Sequence, residues 1–164
     1  MRPTAVEMIQ CVEFSLDADV VPNLGSDPRA HSAVASIRFL LRHLAVRVEV
    51  EPRMLAEDSR DIRELCVSLV EVFRSAGMGE LADLVARECD RIPPVDGFPD
   101  LCRLSKENTA LKTVVDKIVS SLGKAENYPS EPVSVANTLI AQQLARQIGR
   151  EEACMNLTYT GSIF

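Results

Sequence analysis

The sequence predicts an all-α protein, a single-domain bundle of five or six helices with a central helix near residues 28–51. Three observations carry that reading. Apolar residues recur at alternating steps of three and four through most of the chain, the spacing that lines one face of an α-helix. Glycines and prolines fall between the periodic segments, where they act as stops and turns. At 164 residues the chain has the size of one ordinary domain, able to bury roughly 70% of its unfolded surface without disulfides or metal. The bundle is expected to span 1–155, with 156–164 as a non-helical tail because helical spacing fails there.

The first helix opens on Thr4-Ala5-Val6-Glu7, a capping box in which hydroxyl and carboxylate each satisfy the other residue's amide. Ala5, Met8, Ile9, Val12 and Leu16 keep helical spacing until Pro22, and Asn23 to Ser26 form a turn. Asp27-Pro28 starts the central helix and Pro52 is read as its stop. Within it, Ala30, Val34, Ile37, Leu41, Leu44 and Val48 share one face and are expected to be core. Val46 to Val50 also alternates with period two and is β-branched, so a strand competes with helix there. The helical reading is kept because no segment supplies a convincing partner strand.

Pro52 to Ala56 suits a short turn, with Asp58 or Ser59 capping a third helix whose inner face is Ile62, Leu65, Cys66, Leu69, Val70 and Phe73. Gly77 supplies a left-handed stop. Gly79-Glu80 opens a fourth helix through Leu81, Leu84, Val85, Cys89 and Ile92, ended by Pro93-Pro94, and residues 93–98 are a loop. Pro99-Asp100 begins a fifth, with Leu101, Leu104, Asn108, Leu111, Val115, Ile118 and Leu122 in one stripe. Asn108 either pins register inside that helix or marks a break, since Ser105 to Thr109 is rich in capping residues. After a polar connection, Pro132 opens a last helix through Val133, Ala136, Ile140, Leu144 and Ile148.

Composition removes several functions. A formal charge of −6 and pI near 5.0 argue against a surface that tracks nucleic-acid phosphates. The absence of a long uncharged apolar run argues against a signal peptide or membrane anchor, which makes the cytoplasm the expected compartment. Five cysteines without a C-x-x-C pair disfavour a disulfide framework or zinc site, and most are expected to be buried thiols. His31 and His43 are twelve residues apart and neither follows a Glu by three, so no metal or other cofactor is expected. No glycine-rich phosphate loop is present, and 4% aromatics with no Trp leave few stacking platforms.

One polar stripe remains. His31, Ala35, Arg38, Arg42, Ala45 and Glu49 run beside the apolar face of the central helix. His31, Arg38 and Arg42 are therefore candidate ligand-binding residues, able to grip a carboxylate or phosphate. The competing reading is a solvated flank whose arginines meet carboxylates of neighbouring helices, Glu13 or Glu64 among them. No catalytic residue is assigned.

Residues 3–9 (Pro-Thr-Ala-Val-Glu-Met-Ile), 20–24 (Val-Val-Pro-Asn-Leu) and 31–36 (His-Ser-Ala-Val-Ala-Ser) resemble an uncharacterised family of short helical bacterial proteins. That family is often encoded beside acyl-CoA dehydrogenases and aminoglycoside-phosphotransferase-like kinases. The resemblance covers the first third of the chain and departs at Ile37 and at Arg42-His43-Leu44. It implies an accessory role near acyl-CoA metabolism. With apolar residues at 46% and Phe14, Phe39 and Val50 off the main stripes, the expected function is non-catalytic association, as a homodimer or beside a larger enzyme. The alternative is a small ligand-binding or enzymatic bundle that recognises an anionic, acyl-CoA-like or carboxylate ligand.

Overall fold

A computed structural model describes residues 2–95, 100–123 and 130–159. The protein is all-α, with no strand among those residues. Helix α1 (Ala5–Ser15) continues into a π turn (Leu16–Val20) and a 3-10 turn (Val21–Asn23). There follow α2 (Pro28–Ser75), α3 (Gly79–Asp90), α4 (Leu101–Gly123) and α5 (Ser130–Tyr159). The chain divides into two compact units, one of Met1–Glu51 with Glu151–Phe164 and one of Pro52–Arg150.

The helix starts follow local chemistry. Thr4 N–H donates to Glu7 at 2.6 Å and Glu7 N–H donates to Thr4 Oγ1 at 3.2 Å, completing the capping box. Asp27 caps α2 by accepting the Arg29 amide at 2.9 Å, and Asp100 caps α4 by accepting the Arg103 amide at 2.7 Å. At the end of α2, Gly77 takes φ +73°, with Met78 N–H bonded to Phe73 O and Gly77 N–H to Arg74 O. This paired arrangement satisfies two terminal carbonyls and requires the left-handed geometry that glycine adopts without strain.

Pro52 does not stop the central helix. Helix α2 runs 48 residues with Pro52 inside it, so the expected second and third helices are one element. A proline there removes one hydrogen bond and crowds the preceding turn. Same-helix ion pairs Arg47–Glu51 (2.8 Å) and Arg53–Glu57 (3.8 Å) flank it, and strong helix formers follow. Asp58 and Ser59, expected as caps, lie buried in the middle of α2 because each has a tertiary partner instead of a free amide. Val46 to Val50 is helical. Asn108 lies inside the continuous α4, 3% exposed, and its Nδ2 donates to Ser59 Oγ at 3.4 Å, the pin rather than the break. Helix α5 continues through Asn156–Tyr159, beyond the expected boundary at 155, because an established helix extends cooperatively through residues of middling propensity. Residues 160–164 of the expected tail, 96–99 of the expected loop, and 124–129 of the expected connection lie outside the described residues.

The core belongs to the Pro52–Arg150 unit. Ile62, Leu65, Cys66, Leu69 and Phe73 of α2 pack with Leu81, Ala82 and Val85 of α3, Leu111 and Ile118 of α4, and Ala136 and Ile140 of α5. Leu69, Phe73, Val85 and Leu111 are fully enclosed. Charged clamps surround this core. Arg63 binds Glu107 at 2.6 Å and the Ile92 carbonyl at 2.8 Å, and Lys117 binds Glu88 at 2.5 Å. Arg150 on α5 contacts Glu57, Asp58 and Asp61 on α2, with Arg146 also on Asp61 at 3.3 Å.

In the other unit, the expected core stripe is mostly uncovered. Val34 is buried and Ala30 and Leu41 are half-buried, but Ile37, Leu44 and Val48 are 44%, 50% and 39% exposed. The buried apolar positions are Val34 of the stripe with Ala45 and Val46, which lie about 60° and 160° round the helix from the stripe's centre at 100° per residue.

Candidate functional site

The three candidate ligand residues all project from the first half of α2, and each already has a partner. His31 Nε2 lies 2.9 Å from the Gly25 carbonyl; since a carbonyl only accepts, that nitrogen carries the proton. Arg38 Nη2 meets Asp17 at 3.3 Å and Arg42 Nε donates to Glu13 at 2.9 Å. Asp17 and Glu13 are one turn apart, as are Arg38 and Arg42, and the pairs step in opposite directions. The amino-terminal segment therefore runs antiparallel along the arginine flank of α2. Glu13 is buried, and Arg38 Nε has no hydrogen-bond partner among the described residues.

That docking explains the uncovered stripe. Two charge-assisted contacts bind α1 and the π turn that continues it to the polar flank, about 100–160° round the helix from Ile37 and Leu44 at 100° per residue, so α1 leaves the apolar face open. The result is a strip of Ile37, Leu40, Leu44 and Val48, between 39% and 63% exposed. Nine of the sixteen exposed large apolar side chains among the described residues fall between Met8 and Val48, which concentrates the apolar surface in this unit. Phe14 is 73% exposed, and Phe39 packs edge-on to His43 with ring centres 5.1 Å apart.

A second place was missed in the sequence. Cys66 of α2 and Cys89 of α3 come together in a cleft of about 270 Å³ that Val70 and Ala86 also line. Cys66 is buried and Cys89 half-buried. The hydrogen bond between the thiols, with burial, pushes Cys66 up, while the same bond and the nearby Arg63 charge bring Cys89 down to about 7. The deeper thiol thus donates to an outer sulfur that favours the thiolate. The only signal in the sequence was that both lie on the apolar side of successive helices. Cys11 and Cys102 are exposed, contrary to the expectation that most cysteines are buried.

Among the described residues, no group of three or more His, Cys, Asp or Glu is placed to bind a metal ion, and no helix is long and apolar enough to cross a membrane. Compared with protein-family models, curated proteins and solved structures, the chain matches none.

Proposed function

We propose that the protein is a non-catalytic cytoplasmic module that acts by association, pairing with a second copy through the apolar face of α2. The observation that carries this reading is the continuous strip of Ile37, Leu40, Leu44 and Val48, left open because α1 is bound elsewhere. Covering each of these half-exposed side chains contributes about 1 kcal/mol, so the strip favours burial against another apolar surface.

The spacing favours a second copy as that surface. About the midpoint between Leu40 and Leu41, equidistant positions are apolar on both sides: Ile37 with Leu44, and Ala33 with Val48. An antiparallel second copy therefore meets the same pattern in register, as a two-fold interface requires. Arg29 and Glu51 lie near the two ends of the strip on the same flank, where the two-fold axis brings opposite charges together. The alternative partner, suggested by the resemblance of residues 3–36, is a larger enzyme such as an acyl-CoA dehydrogenase.

Sedimentation at micromolar concentration should give twice the chain mass of 18.0 kDa. Leu40→Glu combined with Leu44→Glu should return it to the single-chain mass with helicity intact. A single-chain mass for the unaltered protein overturns the self-pairing. Retention of the unaltered protein, but not the double variant, on an immobilised acyl-CoA dehydrogenase would then transfer the face to that partner.

A further inference from the structure

The thiol pair is independent of the association face and lies wholly in the Pro52–Arg150 unit, with Cys66 on α2 and Cys89 in the last turn of α3. The two side chains are in hydrogen-bond contact, Cys66 buried and Cys89 half-buried, and both border the cleft of about 270 Å³. A reagent in that cleft meets Cys89 first, with Cys66 against it from the buried side. Arg63 completes the group. Its guanidinium is held by the Ile92 carbonyl at 2.8 Å and by Glu107 at 2.6 Å, just past the end of α3, where it also hydrogen-bonds Cys89. A cation beside a partly exposed sulfur favours the thiolate, which is the nucleophile, whereas a buried thiol away from charge stays inert.

The remaining walls of the cleft select the reagent. Val70 and Ala86 are apolar, and the exposed Glu71, Asp90 and Arg74 set two negative charges against one positive. Anionic reagents are repelled there, so a small neutral one has the easier entry. A hydroperoxide is neutral, small and open to thiolate attack at its O–O bond.

We propose that Cys89 is a site of oxidation by hydroperoxides and that Cys66 resolves it as a disulfide between α2 and α3. The Cys89 thiolate attacks the terminal oxygen of ROOH. An S–O bond forms as the O–O bond breaks, and the released RO⁻ takes a proton from solvent to leave as ROH. The Cys66 sulfur then attacks the sulfenic sulfur of Cys89, whose hydroxyl takes the Cys66 proton and departs as water. Each sulfur gives up one electron, and the O–O bond receives the pair.

The full chain at pH 7, treated with one equivalent of hydrogen peroxide or of tert-butyl hydroperoxide and mapped by peptide mass spectrometry, tests this. A Cys66–Cys89 cross-link should form with loss of two hydrogens, about tenfold faster than oxidation of the exposed Cys11 and Cys102, and dithiothreitol should reverse it. The faster of the two reagents assigns the oxidant to the inorganic or the organic peroxides. Cys66→Ser, which keeps a hydrogen-bond donor, should leave Cys89 as a sulfenic acid that dimedone captures, and Cys89→Ser should leave Cys66 unoxidised. Absence of the cross-link with both reagents overturns the proposal. So does oxidation of Cys11 or Cys102 as fast as Cys89, or oxidation of Cys66 in the Cys89→Ser variant.

Discussion

At the scale of single residues, burial separates two leucines that look alike in the sequence. Leu44 and Leu69 both occupy apolar stripes of α2, yet Leu44 is half exposed and Leu69 fully enclosed. Leu69→Ala should cost about 2–5 kcal/mol, because it removes packed methyl groups and leaves a cavity. Leu44→Ala should cost less than about 1 kcal/mol in the isolated chain. Urea unfolding of both variants under monomeric conditions checks the contrast, and equal losses would restore the stripe to the core. The thiols give a second prediction. Since the thiolate is the nucleophile, alkylation of Cys89 by iodoacetamide should rise with a midpoint near pH 7, the value to which the Cys66 hydrogen bond and Arg63 bring it. Cys66→Ala removes that bond and should move the midpoint upward. Proximity of the two sulfurs could not be read from the sequence, because residues 23 apart are joined here by packing of α2 on α3 and not by a spacing motif.

Single elements show where local rules prevailed and where they were overridden. The capping box at Thr4, the Asp27 cap and the Gly77 stop were legible because each involves groups within a few residues of one another. Pro52 also carries a local signal, a helix stop, but the helix continues. Its lost hydrogen bond and crowded ring remain a local penalty of up to about 3 kcal/mol. Pro52→Ala should therefore raise stability by about 2 kcal/mol, somewhat less than that penalty because the unfolded chain gains freedom. Thermal unfolding followed by circular dichroism measures it; no gain, or a loss, would show that the helix ends at 51 after all. Asp58 and Ser59 were misread as caps for the complementary reason. Their partners, Arg150 and Asn108, lie 92 and 49 residues away, outside any local window.

Across the whole molecule, the clamp of α5 on α2 sets a pH dependence. Burial pushes the Asp61 carboxyl up, but hydrogen bonds and charge from Arg150 and Arg146 outweigh it and hold the group below the usual carboxylate range. The unfolded chain then binds the proton first as pH falls. Stability from this pair is complete above the ordinary Asp value of 3.8 and is lost as pH drops through the lower folded value. Arg150→Gln should cost about 3 kcal/mol at neutral pH, because it leaves the buried Asp58 carboxylate without its arginine and Asp61 with Arg146 alone. It should also move the acid loss of stability to higher pH, since burial then acts on Asp61 with less opposition. Urea midpoints measured from pH 7 down to pH 3 would test both effects, and an unshifted acid limb would remove Asp61 as their source.

By itself the sequence determined that the chain is helical, where most helices start, and which apolar residues of 62–85 and 111–140 form a core, because periodicity and capping are local properties. Tertiary structure decided which face of α2 is covered. The stripe from Ala30 to Val48 has the pattern of a core, but a helix pattern states only that a face prefers burial, not that a partner is present. Glu13 of α1 and Asp17 of the following π turn bind Arg42 and Arg38, so burial went to the charged flank and the apolar face stayed open. That Gln143 Oε1 has no donor among the described residues is likewise a property of packing, since nothing in the order of residues says which buried amide lacks one.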